Sequence, residues 1–350
     1  MIQIGIIGAT GYTGIELLRL LQAHPEVTVS YVTTESYVGQ AIGHVYPHLK
    51  NVCGDLTGEA LDLTKAVAQC DLIFIALPHG HAPGIAEPLL AAGKKVIDLG
   101  ADLRLKDGAA YQKWYRHAPA PVSLLQKAVY GLPEIGMRDA IENTDLVANP
   151  GCYATAAALA AAPLLHTDWI DMRTLILDGK SGTSGAGRSL ALQTHFCEVA
   201  ENFKAYQTAG THRHTPEIEQ SFSAMKGQSV LVEFTPHLIP MVRGLFMTAY
   251  FTLQKNITEK EIYDLYQTYY EKEDFVRVLP PDELTQTKQV CGTNRCDIAV
   301  HVNPRTQRVT VTSVIDNLIK GAAGQAIQNM NLMCAFPEGL GLDRLVASYP

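Results

Sequence analysis

An α/β fold, with a parallel doubly wound sheet in the first half and a mixed or antiparallel sheet in the second, is predicted by three observations. Short apolar runs alternate with helical patterns over the first 150 residues, a glycine-rich turn separates the first run from the first helix, and two-residue alternation takes over after residue 152. Parallel strands buried on both faces read as continuous apolar runs, whereas strands covered on one face alternate.

The elements follow in order. Ile2 to Ile7 is the first strand, followed by a glycine turn and a helix with apolar positions Ile15, Leu17, Leu18, Leu20 and Leu21. Val27 to Thr33 is the second strand; Asp71 to Leu77, bounded by Pro78 and Gly80, is the next. A helix over Ala82 to Ala92 leads to a strand at Lys95 to Leu99, and Leu146 to Ala148 runs into the turn Asn149-Pro150-Gly151. Beyond it comes a small-residue helix with seven alanines between 154 and 162, then strand-like runs at 173–178, 229–235, 244–253 and 308–315. Ile319 to Phe336 reads as a closing helix. The expected organisation is a Rossmann-type dinucleotide-binding domain over 1–151, an α+β catalytic and dimerisation domain over 152–318, and a C-terminal helix over 319–350 returning to the first domain.

Composition bounds the function. At 350 residues the chain is long enough for two cores, and 47% hydrophobic with 18% charged residues is ordinary for a globular enzyme. A net charge of -7 with no basic run argues against nucleic acid as a partner, and no apolar stretch reaches the length of a membrane span. Met1 to Gly5 runs into strand without a basic leader, and seven scattered cysteines suit a reducing compartment, so a cytoplasmic enzyme is expected. Cys291 and Cys296 have no second pair at zinc spacing, so a loop or hairpin is expected there and no metal.

Gly8-Ala-Thr-Gly11-Tyr-Thr-Gly14 lies where a phosphate cradle must sit, between strand and helix. Glycines there permit the tight turn and the approach of backbone N–H groups to a pyrophosphate at a helix N-terminus. Gly8, Thr10, Gly11, Tyr12, Thr13 and Gly14 are therefore the candidate cofactor residues. The second strand ends in Thr33-Thr34-Glu35-Ser36-Tyr37: Thr34 and Ser36 suit a 2′-phosphate, while an inward Glu35 would repel one. NADP is the expected cofactor, with Glu35 turned outward.

Cys152 differs from the other six cysteines. It follows a sharp turn and opens the alanine-rich helix, where unsatisfied N–H groups and the helix dipole favour a thiolate and can bind an oxyanion. His212 and His214 flank Arg213 just before Thr215-Pro216-Glu217, which reads as a helix start. A His-x-His pair also suits a metal, but no third ligand is apparent, and general acid–base work fits a side chain that titrates near neutrality. His214 is preferred for proton transfer and His212 for positioning. His79 and His81 form a second pair at the carboxyl edge of the sheet, either cofactor contacts or ordinary loop residues.

Asn-Pro-Gly-Cys-Tyr-Ala-Thr at 149–155, with the 8–14 glycine motif, resembles the N-acetyl-γ-glutamyl-phosphate reductase family of arginine synthesis. The resemblance continues through Tyr130-Gly-Leu-Pro-Glu134, Ser181-Gly-Thr-Ser-Gly-Ala-Gly187, His212-Arg-His-Thr-Pro-Glu-Ile-Glu219 and Asn317-Leu-Ile-Lys-Gly-Ala-Ala-Gly324, covering almost the whole chain in family order. That family belongs with aspartate-semialdehyde dehydrogenase. The resemblance implies that Cys152 attacks an acyl phosphate, expels phosphate, and forms a thioester that NADPH reduces to the semialdehyde. It also implies a homo-oligomer, and it places Asn317 and the Gly321–Gly324 segment near the nicotinamide. Ser181 and Gly182 open a loop whose glycines allow close approach to the nicotinamide or phosphate.

A substrate with a phosphate and a carboxylate calls for arginines. Arg104, Arg188 and Arg243 are the candidates, with Arg213 and Lys180 behind them. The alternatives are an aminoadipyl-phosphate reductase of lysine synthesis on the same scaffold, and a non-catalytic dinucleotide-binding redox sensor switching on Cys152. The sensor has no need of paired histidines and several arginines.

Overall fold

The computed structural model describes residues 1–53 and 55–347. Two compact units emerge, Met1–Pro150 with Ala322–Arg344, and Gly151–Gly321 with the residues from Leu345.

The first unit is built on a six-stranded sheet: β1 (Ile2–Ile7), β2 (Val27–Thr33), β3 (Leu72–Ile75), β4 (Lys95–Asp98), β5 (Val129–Tyr130) and β6 (Leu146–Ala148), in the order β2-β1-β3-β4-β6-β5. Every pairing is parallel. The strands are short and almost wholly buried, as their unbroken apolar runs require. The expected strand at Asp71 to Leu77 is four residues long, because Asp71 is already exposed and Pro78 cannot donate to a ladder. Strand order reverses at β1, so the carboxyl ends of β1 and β3 form the crevice where such sheets bind ligands.

The C-terminal Gly324–Met333 helix belongs to this unit and is buried throughout, the polar side chains of Gln325, Gln328, Asn329 and Asn331 included. Asn329 donates to the Gly131 carbonyl at 2.9 Å and to Asn149 Oδ1 at 3.0 Å, and Gln328 donates to Glu134 at 2.9 Å. Gly131 is glycine for this reason: a Cβ there would lie 2.3 Å from Asn329 Nδ2. The expected single helix over Ile319 to Phe336 is in fact a π-turn at Ile319–Ala323 followed by this α-helix.

The second unit holds a seven-stranded mixed sheet in the order β11-β12-β13-β10-β7-β9-β8. Its strands are β7 (Ile176–Ser181), β8 (Lys204–Ala205), β9 (Glu233–Leu238), β10 (Leu245–Thr252), β11 (Val276–Val278), β12 (Cys296–Asn303) and β13 (Arg308–Ile315). Five strands depart from the sequence reading, β8 and β11 among them because these short strands went unread. β7 starts three residues late because Arg173 and Thr174 are held in a turn by Asp171, and it continues through Gly179 to Ser181. β9 likewise starts late, at Glu233. β12 went unread; it pairs antiparallel with β13, and Cys296 is its first residue.

The Cys152–Leu165 helix is buried along its length except at Cys152, because its alanines let it lie close to the sheet. Pro163 has no N–H to give the Leu159 carbonyl, and the Tyr270 hydroxyl donates to that carbonyl instead at 2.6 Å. Ser313 on β13 donates to the Ala156 carbonyl at 2.8 Å. The start of this helix is thereby pinned to the sheet that carries the rest of the site.

Candidate active site

The glycine motif has the geometry of a dinucleotide cradle. Gly8 has φ +92°, and a Cβ on it would lie 2.4 Å from the Ala76 carbonyl beyond β3. A Cβ on Gly14 would lie 2.3 Å from the Gly8 carbonyl, so Gly14 is what lets the Tyr12–Leu21 helix press on the turn. Gly11, the residue before that helix, is different: a Cβ there would meet only the Gly8 carbonyl, at 3.7 Å. Protein packing does not demand glycine at 11, whereas a pyrophosphate approaching the helix N-terminus does. The residues fit the cofactor.

At the end of β2, Thr34 is buried and shares a 2.8 Å hydrogen bond with Thr10, whose carbonyl accepts from the Tyr46 hydroxyl at 2.7 Å. Glu35 and Ser36 are exposed. His79 packs edge-on against Tyr115 at 4.9 Å, and His81 is exposed before the Ala82–Ala91 helix. The loop between them is tied down by buried Asp102, which accepts the N–H groups of Gly80 and Ala82.

Cys152 is the first residue of its helix, after Gly151 in extended conformation. The structure packs both histidines of the 212–214 pair against the ring of the next residue, Tyr153. The ring of Tyr153 lies 5.5 Å from that of His212 and 6.0 Å from that of His214, and the two imidazoles are 5.0 Å apart. The pair sits in a turn leading to the Thr215–Lys226 helix. His212 is buried among Tyr153, Tyr206 and Phe234, and its Nδ1 accepts the His214 N–H at 3.0 Å. Burial first, then the charges of His214 and Arg213, hold the His212 imidazole pKa down at about 2. It is a neutral ring carrying its hydrogen on Nε2.

Two further groups lie in this cluster, Glu217 and Tyr206, and sequence reasoning missed them. Glu217, fully buried, accepts the Gly151 N–H at 2.8 Å. The Tyr206 hydroxyl stands 3.4 Å from that of Tyr153, which donates to the His237 carbonyl at 3.1 Å, and burial pushes the Tyr206 phenol up to about 12. Gly321, in a segment that the sequence had already singled out, packs against Cys152. A carboxylate one turn after a His-x-His pair was a usable signal for Glu217; Tyr206 lies in a polar loop and had none.

The remaining predicted residues fall into two groups. Ser181 ends β7 with its hydroxyl on the Gly182 carbonyl at 3.1 Å, and Gly182 packs so tightly that a Cβ would lie 2.7 Å from the Val242 carbonyl. Asn317 accepts the Gly244 N–H at 2.7 Å and donates to Ser184 at 2.9 Å, joining the two loops. Arg104 is buried, giving Nε to the Asn149 carbonyl and Nη2 to the Leu99 carbonyl, each at 2.8 Å. Arg243 pairs with buried Asp316, and Lys180 with Asp178 at 2.9 Å. Arg188 and Arg213 are exposed. Among the described residues neither the His212/His214 pair nor Cys291 and Cys296 join a three-ligand cluster, and no helix is long and apolar enough to cross a membrane.

A parallel sheet with a dinucleotide cradle and a mixed-sheet unit that opens on a helix-capping cysteine define an oxidoreductase of the semialdehyde dehydrogenase class. Two family models agree: the semialdehyde dehydrogenase NAD-binding domain matches residues 3–144, and the semialdehyde dehydrogenase dimerisation domain matches residues 152–317. The fold is similar to that of aspartate semialdehyde dehydrogenase II from Vibrio cholerae, with TM-score 0.72 at 18% identity over 96% of this chain and 99% of that one. Within the class, the chain belongs to the N-acetyl-γ-glutamyl-phosphate reductase family. It is 55% identical to a reductase of that name from Symbiobacterium thermophilum over 100% of this chain and 99% of the relative. It is 54% identical to another from Desulforudis audaxviator over 98% of each.

Proposed function

We propose that the chain catalyses NADPH-dependent reduction of N-acetyl-γ-glutamyl phosphate to N-acetylglutamate semialdehyde with release of phosphate. The observation that supports this reading is that Cys152 opens its helix while the ring of the next residue, Tyr153, packs against both His212 and His214. The Cys152 thiolate forms a bond to the acyl carbon while the bond to the phosphate oxygen breaks, giving a thioester. His214 takes the thiol proton beforehand and returns it to sulfur when the thiohemiacetal collapses and the carbon–sulfur bond breaks. His212, neutral throughout, orients substrate through Nε2–H. N–H groups of the first helical turn, which have no helical acceptor, hold the oxyanion. The nicotinamide, when bound, supplies the hydride.

Gly8, Thr10, Gly11, Tyr12, Thr13 and Gly14 would hold the pyrophosphate, and exposure of Glu35 favours NADP by leaving Ser36 and Thr34 to face a 2′-phosphate. Of the arginines, exposed Arg188 and Arg213 are assigned to the substrate's phosphate and carboxylate. Arg104 and Arg243 are each tied to internal acceptors within their own unit. The test runs the enzyme backwards: phosphate-dependent reduction of NADP and of NAD by N-acetylglutamate semialdehyde and by aminoadipate semialdehyde. Preference for the aminoadipate substrate defeats the substrate assignment, and preference for NAD means that Glu35 meets the ribose.

The second unit also carries an association surface. Leu190 (104% exposed), Leu192 (78%), Phe196 (80%) and Phe203 (59%) lie in one segment of fourteen residues between the Ser181–Gly187 loop and Tyr206. Large apolar groups concentrated in one exposed segment mark an interface, and we assign it to a second copy of the chain, consistent with a domain described as dimerising.

A further inference from the structure

The methylene of the nucleophile touches a segment for which the reaction above has no use. Ile319–Ala323 is a single π-turn, with the Gly321 N–H donating to the Asp316 carbonyl five residues back at 3.0 Å. Such turns are rare and recur at functional sites. The Asp316 side chain, fully buried, holds this one open. Its Oδ1 accepts the N–H groups of Leu318 at 2.9 Å and Ile319 at 3.2 Å, and its Oδ2 accepts that of Gly292 at 2.7 Å. The Arg243 guanidinium spans both oxygens, with Nε 3.1 Å from Oδ2 and Nη2 3.4 Å from Oδ1.

The turn delivers Gly321 to Cys152. A Cβ on Gly321 would lie 2.6 Å from the Cβ of Cys152, 3.2 Å from its Cα and 3.3 Å from Ile315 Cδ1. A long side chain can swing aside from such a clash, but the Cβ of Cys152 is one bond from the backbone and cannot. The contact therefore fixes where the first turn of the nucleophile helix lies.

We propose that Asp316 is a positioning residue for the nucleophile: by shaping the π-turn it seats Gly321 as the wall against which Cys152 is held. The need for a wall is physical. As the first helical residue, Cys152 lacks the preceding turn that braces interior positions, and the reaction requires its sulfur about 3–3.5 Å from the acyl carbon. A displacement of about 1 Å can cost ~10²-fold in rate. The inference rests on Cys152 being the nucleophile, and it requires no particular acyl phosphate.

The test compares Gly321→Ala, Asp316→Ala and Asp316→Asn with the parent full-length enzyme. The readouts are kcat, KM and the pH dependence of Cys152 alkylation by iodoacetamide, followed on its own peptide by mass spectrometry. Gly321→Ala and Asp316→Ala should lower kcat about 10–100-fold with KM changed less than about 3-fold, and should move half-maximal alkylation to higher pH. Asp316→Asn keeps an oxygen for Leu318 and Ile319 and should recover part of kcat. A parent-like kcat and alkylation profile in Gly321→Ala overturns the proposal. So does failure of both Gly321→Ala and Asp316→Ala to fold, because the contact then serves the fold and not the nucleophile. Alkylation needs no substrate, so its outcome stands apart from that of the thioester reading, which fails if Cys152→Ser keeps turnover.

Discussion

His212 Nδ1 accepts the backbone N–H of His214 at 3.0 Å, which fixes the tautomer of the first imidazole and the place of the second. With Nδ1 committed as an acceptor and burial holding its pKa far below the ordinary histidine value, His212 is neutral around neutral pH. The two histidines therefore divide their work, and their variants should separate cleanly. His214→Asn should lower kcat ~10²–10⁴-fold and remove a near-neutral ionisation from the pH–rate profile. His212→Asn should mainly raise KM and leave the profile's shape unchanged. Near-normal rates and profiles in both variants exclude the pair from proton transfer.

Cys152→Ser should abolish turnover while leaving cofactor affinity within about two-fold, since a hydroxyl is too weakly acidic to serve as nucleophile there. Steady-state assays and cofactor titration on protein expressed without a wild-type background decide it. Appreciable residual turnover rules out the thioester.

The motif glycines should respond differently to the same methyl group. Gly14→Ala must push against the Gly8 carbonyl at 2.3 Å and should lower the melting temperature by several degrees, through a loss of ~1–3 kcal/mol. Gly11→Ala has room within the protein and should leave the melting temperature almost unchanged. Its cofactor dissociation constant should nevertheless rise at least about ten-fold, because the methyl stands where the pyrophosphate approaches. Equal effects of the two substitutions on stability and binding contradict the division.

Asp98 is fully buried at the end of β4, its Oδ1 accepting the Gly100 N–H at 2.8 Å and its Oδ2 without a hydrogen-bond partner among the described residues. Burial first, then the neighbouring Asp102, raises its pKa from 3.8 to about 7. A raised folded-state value means the folded protein binds the extra proton. The stabilisation is therefore complete below about pH 4 and is lost as pH rises through 7. The stability of the first unit should fall by ~1–3 kcal/mol between pH 5 and 8.5. Urea unfolding followed at Trp114 in a Trp169→Phe background reports on that unit alone, and Asp98→Asn should flatten the slope. An unchanged slope in that variant assigns the pH dependence to another group.

Leu192→Asp with Phe196→Asp should dissociate the oligomer, because two charges cannot be buried unpaired in an apolar interface. Sedimentation at several concentrations reads the state directly. Retention of the parent's oligomeric state in the double variant moves the interface elsewhere.

Much of the architecture was legible before any coordinates, because local chemistry repeats along a chain. Unbroken apolar runs marked the buried strands of the first sheet, and β1 and β2 have the bounds their patterns predict. The position of Cys152 at a helix start followed from Asn149-Pro150-Gly151 and the alanines beyond. β7 runs past the expected end of its strand because Gly179 makes room in the sheet for Tyr153, whose ring would meet a Cβ there at 2.5 Å.

What the sequence by itself determined, then, were the fold class and the bounds of elements such as β1 and β2, since these depend on neighbours a few positions away. Only the tertiary structure decided which remote groups each side chain meets. Arg104 and Arg243 were expected as substrate ligands, and their hydrogen bonds and ion pair to the Asn149 and Leu99 carbonyls and to Asp316 become visible only in the fold. The neutrality of His212 arises from Tyr153, Tyr206 and Phe234 closing over it, and the wall on Cys152 comes from a residue 169 positions later in the chain. Desolvation and steric contact act through space, and a linear pattern carries no record of which remote side chain will occupy that space.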